Sequence, residues 1–165
     1  MRMIDPVLAE FDQEAATTRR VLERIPSDQL GWKPHTKARS LGELAVHIAT
    51  SQKNVTHALQ QESWEMSPHP TAVPASTEGI VAMFDENTAS AKAMLDSMSD
   101  ADLMSSWSLT AGGVPKFTAP KGGVLRMIVL NHIYHHRGQL SVYLRQLGIA
   151  LPSIYGPTAD ENPFA

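Results

Sequence analysis

The sequence contains no cysteine among its 165 residues. This absence excludes disulfide bonds, zinc sites built on thiolates and a thiol nucleophile supplied by the protein itself. If the protein carries out sulfur chemistry, a small molecule must bring the sulfur.

Long apolar runs and blocks of basic residues are also missing. The longest apolar runs span only a few residues, so no segment is predicted to cross a bilayer. The first residues, MRMIDPVLAEFDQEAATT, lack the order of basic, apolar and small residues that marks a secretory signal, which favours a cytoplasmic protein. With a formal net charge of −3 and no cluster of lysine or arginine, the chain offers little attraction for a phosphate backbone. We therefore expect no nucleic-acid partner and no membrane partner.

What the sequence does contain is helical periodicity, over four stretches whose combined length suits a single domain spanning residues 1–165. Apolar residues recur every three or four positions in helix one (roughly residues 5–25), helix two (40–61), helix three (80–98) and helix four (124–147). Ser40 and Glu43 form the S-x-x-E pattern that caps a helix start, and Gly148 is the predicted C-cap of helix four. The predicted fold class is all-α, a four-helix bundle.

Two long connections are predicted, between helices two and three and between helices three and four. Pro68, Pro70 and Pro74 prevent helix in the first, and this extended segment is long enough to join its two helices in the same direction. The second, LMSSWSLTAGGVPKFTAPKGG, reads as a long loop with room for a short hairpin around Gly112 and Gly113. No alternation of apolar and polar residues is convincing enough to predict a substantial sheet.

Histidines interrupt the apolar stripe of helix four. The step of three and four residues places His132, His136 and Gln139 where core residues belong. Histidines four residues apart share a helix face and can bind one metal ion, although H-x-x-x-H is a weak motif and His132 with His135 would also be within reach. The alternative is that these are core or partly exposed histidines hydrogen-bonded to side chains or water.

A third ligand is available on helix two, where His47 lies beside the buried stripe between Leu44 and Ile48. Inward residues on facing helices build the metal sites of bundles, and three histidines leave the fourth position that catalytic zinc keeps open. Glu43 is a weaker candidate that could orient His47 or act as a base, and Arg137, with Gln139, could support the ligands or contact an anion. The capping box explains Glu43 without chemistry, and an arginine beside a buried face more often extends to solvent.

The remaining histidines are predicted to lie on the surface. His35 and His69 fall in proline-bearing loops, and His57 is near the end of helix two. We expect none of the three to bind a metal.

The chain resembles the DinB family in three segments that together cover nearly its whole length: SLGELAVHIA on helix two, HIYHHRGQLSVYLRQLGI on helix four and the tail LPSIYGPTADE. The resemblance implies an up-down-down-up bundle whose divalent metal, zinc or nickel, is held by His47, His132 and His136, with His135 outside the ligand set. It also implies a homodimer. Relatives of similar fold add bacillithiol or mycothiol to electrophiles, or use mycothiol to isomerise maleylpyruvate.

These considerations lead to a divalent-metal-dependent enzyme that acts on a small molecule. The specific hypothesis is a thiol S-transferase that uses a low-molecular-weight thiol cosubstrate. The same open position could activate water, which would make the protein a metal-dependent hydrolase. A metal- or ligand-binding protein without turnover stays open as an alternative.

Overall fold

Helices account for most of the computed structural model, which describes residues 1–66 and 72–165. In chain order they are α1 (Ile4–Leu22), α2 (Leu41–Ala58), α3 (Thr77–Asp96), α4 (Asp100–Met104), α5 (Lys121–Val124), a π-helical segment (Leu125–Leu130) and α6 (Asn131–Gln146). The last three follow one another without a break and together form the predicted helix four. The predicted connection through Pro68 and Pro70 lies partly outside the described residues. The protein is mostly helical, which agrees in part with the all-α prediction, and the four-helix bundle stays a prediction.

Local sequence signals set where the helices begin and end. Ser40 Oγ accepts a hydrogen bond from the N–H of Glu43 at 3.1 Å, while Glu43 Oε2 accepts one from the N–H of Ser40 at 2.6 Å. This reciprocal pair is the predicted capping box, and it fixes the start of α2 shortly before His47. α1 ends at Leu22 rather than at the predicted Ile25, because the N–H of Ile25 bonds to Leu22 O, only three residues back.

A three-stranded sheet corrects the all-α prediction. Its strands are β1 (Ser63–Glu65), β2 (Ser106–Ala111) and β3 (Val114–Pro120), in the order β1-β2-β3. β1 runs parallel to β2, and β2 runs antiparallel to β3. The β2–β3 pair is the hairpin predicted around Gly112 and Gly113, whose φ angles of 61° and 72° favour glycine. The parallel partner β1 was not predicted.

Two apolar clusters fill the interior. α2 packs against α3 and α6, and α1 also contacts α3 and α6. One cluster lies among these helices and includes Leu44, Phe84 and Leu140, and the second includes Phe11 of α1 and Trp107 of the sheet. The up-down-down-up order of the helices stays a prediction. None of the helices in the described ranges is both long and apolar enough to cross a membrane.

The π-helical segment lies directly before the three histidines of α6. The N–H of Asn131 donates to Arg126 O, five residues back, so the predicted helix four is not a continuous α-helix. A π turn holds more residues than an α turn and therefore rotates the helix that follows it. Leu125 and Val129 are buried within this segment and Ile133 is buried after it. The apolar stripe thus remains directed at the core across the change.

Candidate metal centre

The ring nitrogens of three histidines meet between α2 and α6. His47 Nε2 lies 3.3 Å from His132 Nε2 and 3.0 Å from His136 Nε2, and the Nε2 atoms of His132 and His136 lie 2.9 Å apart. The three rings are nearly perpendicular to one another in every pairing. The structure therefore brings together the residues that the sequence predicted would share a site, in a group that could hold a metal ion.

The helices explain this convergence. His132 and His136 are four residues apart on α6, which places both rings on one face. α2 packs against α6, and His47, one turn after Glu43, lies on the side of α2 that faces α6. His135 is exposed, and its ring lies 4.8 Å from that of His136, so it stands beside the cluster.

Burial keeps the three imidazoles neutral. It lowers the pKa of His47 to about 3, with the Arg39 cation as the second cause and the other two rings of the cluster contributing further. Burial likewise lowers the pKa of His132 to about 4, assisted by His136, His135 and Arg39. The pKa of His136 is also lowered, chiefly by burial. Neutral imidazole is the form that binds a metal, so the cluster has this form at neutral pH.

Gln139 fixes the proton of one ring. Its Oε1 lies 2.7 Å from His136 Nδ1, and because an amide oxygen only accepts, the hydrogen of the His136 ring belongs on Nδ1. His136 Nε2 then presents a lone pair to the other two rings. Among the described residues, His132 Nδ1 is a buried atom without a hydrogen-bond partner.

Hydrogen bonding alone does not satisfy the three Nε2 atoms. Each ring nitrogen carries one hydrogen or one lone pair in the ring plane, so three converging nitrogens can form at most about one directed hydrogen bond. A cation satisfies three lone pairs at once. Nitrogens bound about 2.0–2.1 Å from a tetrahedral zinc ion lie about 3.3–3.4 Å apart, close to the separations found here. The donor set and its spacing fit a divalent transition metal.

Glu43 serves the helix rather than the cluster. Besides capping α2, its carboxylate lies 3.3 Å from Lys33 Nζ, and its side chain is 49% exposed. The Ser40 N–H, followed by Lys33, lowers the pKa of this carboxyl. These contacts favour the capping explanation of Glu43 over a role in orienting His47.

Arg137 is buried, which corrects the expectation that it extends to solvent. Its side chain is 1% exposed and lies 2.6 Å from the Glu14 carboxylate, which is 6% exposed. Arg137 also donates to Thr18 Oγ1 at 3.1 Å and to the Tyr155 hydroxyl at 2.6 Å, and that hydroxyl donates to Glu14 at 2.8 Å. The rings of Tyr134 and Tyr155 lie 5.7 and 5.0 Å from the guanidinium carbon. This network ties α6, next to His136, to α1 and the C-terminal tail.

Sequence reasoning missed Glu14, although a signal was present. Glu14 lies three residues after Phe11 and four before Thr18, both on the apolar stripe of α1, so the helical step places it on the buried face. An acidic residue at such a position requires a buried partner.

The other predicted surface histidines are confirmed where the structure describes them. His35 and His57 are exposed, and His57 pairs with Ser90 Oγ at 3.1 Å. His69 lies outside the described residues.

Comparison with known proteins assigns the family. The model of the DinB family matches residues 3–162. The chain belongs to the DinB family. Among the DinB-like proteins of known structure, one from Bacillus cereus ATCC 10987 shares 26% identity, with a TM-score of 0.71 over 90% of this chain and 95% of that one. YjoA from Bacillus subtilis has a TM-score of 0.72 at 21% identity, over 91% of this chain and 98% of its own, which supports the fold alone.

A curated protein is similar to this chain over nearly its full length. The uncharacterized protein YrdA of Bacillus subtilis (strain 168) is 27% identical to this chain, over 96% of this chain and 91% of its own. The match thus extends over nearly the whole of both proteins.

Proposed function

We propose that this protein is a divalent-metal-dependent enzyme whose metal ligands are Nε2 of His47, His132 and His136. The observation that carries the proposal is the meeting of three neutral imidazole nitrogens within 2.9–3.3 Å of one another, at a point that hydrogen bonds cannot satisfy. Zinc or nickel suits three imidazole ligands.

The surroundings of the three histidines supply orientation and charge. Gln139 holds the proton of His136 on Nδ1 and so keeps Nε2 free for a metal. Arg39 is close enough to act on all three imidazoles electrostatically, which favours an anion beside them. When bound, a divalent ion supplies a Lewis acid that lowers the pKa of a thiol or of water.

Our specific proposal is a thiol S-transferase. The chain has no cysteine, so the sulfur must come from a low-molecular-weight thiol. In the reaction a bond forms between the thiolate sulfur and the electrophilic carbon of a small molecule, whose leaving group departs with the bonding electrons. The thiol proton passes to solvent. The Arg39 cation favours the thiolate over the neutral thiol.

The proposal is tested with metal-loaded protein, a panel of thiols including cysteine and glutathione, and 1-chloro-2,4-dinitrobenzene as the electrophile. Thioether product is measured by mass spectrometry. We expect turnover that needs both metal and thiol, that is lost in His47→Ala and His136→Ala, and that is retained in His57→Ala, which changes an exposed histidine of the same helix as His47.

The same experiment separates the competing functions. Consumption of an activated ester such as 4-nitrophenyl acetate without any thiol, lost in His47→Ala, would replace the transferase with a metal-dependent hydrolase. Stoichiometric metal without turnover of either substrate would leave a metal-binding protein.

The predicted homodimer is a separate proposal. We expect size-exclusion chromatography with light scattering to give twice the chain mass of 18.0 kDa. A mass of one chain at micromolar concentration would contradict it.

A further inference from the structure

One face of the small sheet is apolar and carries large side chains. Trp64 on β1 pairs in register with Leu109 on β2. Trp107 lies two residues before Leu109, and Met66 lies two residues after Trp64, where its N–H continues the ladder by donating to Thr110 O. Because side chains alternate between the faces of a strand, these four apolar side chains share one face. Ser108 and Glu65 occupy the positions between them.

A cavity of about 150 Å³ lies between this sheet face and the π-helical segment. The described residues that line it are Trp64, Met66, Trp107, Leu109 and Ile128. Trp107 is 1% exposed and forms an inner wall, whereas Met66 is 58% exposed and lies at the rim. Within residues 1–66 and 72–165, the cavity is therefore closed on the core side and open beside Met66.

The lining offers carbon and sulfur rather than hydrogen-bonding groups. The indole N–H of Trp107 donates to Ala58 O at 3.1 Å, so this donor is already used by the protein. Protein interiors seldom contain voids larger than a water molecule. A water molecule needs two to four polar partners to occupy a cavity, and this lining supplies few.

The size and shape of the cavity point to one chemical class. An apolar cavity of about 150 Å³ in another protein stays dry and binds benzene. Two indole rings provide faces and edges for an aromatic ring, and the unbranched thioether of Met66 can adjust to its outline.

We propose that this cavity, which we call the indole pocket, binds an apolar group of about the size of a benzene ring. Ile128 of its lining lies four residues before His132, about one helical turn away on the same continuous helical stretch. A substrate whose reacting group lies at the three histidines can therefore place an aromatic substituent in the indole pocket. This last step rests on the proposed function, whereas binding of the apolar ring does not.

Fluorobenzene is the probe, followed by fluorine NMR line broadening during a titration. We expect saturable binding with a dissociation constant of about 1 mM, as suits a ligand of seven heavy atoms. 4-Fluorobenzoate has the same ring with a charged group and should bind at least about tenfold more weakly, because the lining cannot satisfy a carboxylate. In proton–nitrogen spectra, the indole signals of Trp64 and Trp107 should shift, while that of Trp32, which packs against Tyr143 elsewhere, should not.

Two variants block the indole pocket and two serve as controls. Leu109→Phe and Ile128→Phe each add bulk to the lining and should weaken fluorobenzene binding at least about tenfold. Val142→Phe adds the same ring at a position that is 55% exposed, and His47→Ala removes a proposed metal ligand. Both controls should bind fluorobenzene as wild type does. Circular dichroism identifies the blocking variants that retain the fold.

Each outcome bears on one proposal. Absence of saturable binding to wild type, or unchanged binding by a folded blocking variant, overturns the indole pocket even if zinc binding is intact. A failure of the fluorobenzene titration cannot result from missing metal or missing catalysis, because the titration requires neither. Failure of zinc binding with fluorobenzene binding intact overturns the metal proposal and leaves the pocket standing.

Discussion

The ion pair between Glu14 and Arg137 should be among the most costly contacts to break. Both side chains are buried, at 6% and 1% exposure, and their charged atoms lie 2.6 Å apart. Glu14→Ala removes the carboxylate and leaves the Arg137 cation, among the described residues, with the Thr18 and Tyr155 hydroxyls, the Glu14 carbonyl and the nearby rings of Tyr134 and Tyr155. An unpaired buried charge costs about 3–5 kcal/mol in the free energy of unfolding.

A solvent-exposed pair in the same protein provides the control. Lys92 Nζ lies 2.7 Å from Asp12 Oδ2, but both side chains are 49% exposed. Water screens this pair, so Asp12→Ala should lower the free energy of unfolding by at most about 1 kcal/mol. The contrast between two pairs of similar length isolates the effect of burial.

Urea unfolding followed by far-ultraviolet circular dichroism measures both changes. In a thermal melt of a domain of this size, a loss of about 3–5 kcal/mol corresponds to a fall in Tm of roughly 6–20 °C. The double variant Glu14→Leu with Arg137→Met removes both charges and should recover at least about half of the loss, because no charge stays buried alone. If Glu14→Ala costs no more than Asp12→Ala, the argument from burial is wrong.

Three further predictions concern the site and the packing around α2. Gln139→Ala should weaken zinc affinity about tenfold, because it frees the proton of His136 Nδ1 to move; equal affinity in a competition titration would count against the hydrogen bond. Between about pH 7.5 and 5.5, the neutral fraction of a histidine of ordinary pKa falls about tenfold. The fraction of protein in which three such histidines are all neutral and able to bind a metal would therefore fall about a thousandfold. Here the pKa values of His47 and His132 are lowered to about 3 and about 4, so these two rings stay neutral over this range. Only protonation of His136 can weaken zinc binding, so the affinity should drop at most about tenfold. A steeper loss would contradict the effect of burial. Gly42→Ala should lower the free energy of unfolding by about 1–3 kcal/mol, because the added Cβ would meet Val73 Cγ1 at 2.7 Å and Leu30 O at 3.1 Å. Gly138→Ala should raise it by up to about 1 kcal/mol, because a Cβ at this exposed position of α6 meets no described atom within 4 Å. Thermal melts that rank the two variants the other way would refute the packing argument.

The helical part of the fold was predictable because its signals are local. The Ser40–Glu43 capping box and the three-to-four-residue apolar step act within a few turns of the chain, so they can be read without knowing the packing. The sheet depends on a nonlocal contact, since Ser63 pairs with Ser108. Alternation does occur in SWSL and SWEM, but segments this short do not predict a strand by themselves.

Within the site, the same distinction applies. His132 and His136 share a helix face by spacing alone, and His47 was aimed inward by the stripe of its own helix. The Arg137–Glu14 pair joins residues 123 positions apart, so it depends on how α6 packs on α1. The π turn before Asn131 is a change in backbone hydrogen bonding, which the pattern of side chains does not predict.

Metal stoichiometry tests the central claim most directly. Protein prepared without an affinity tag is saturated with zinc, freed of unbound metal and analysed by inductively coupled plasma mass spectrometry. We predict one zinc ion per chain for wild type and His57→Ala, and none for the variant that combines His47→Ala, His132→Ala and His136→Ala. Equal zinc content in wild type and the folded triple variant would contradict the assignment of these three histidines as metal ligands.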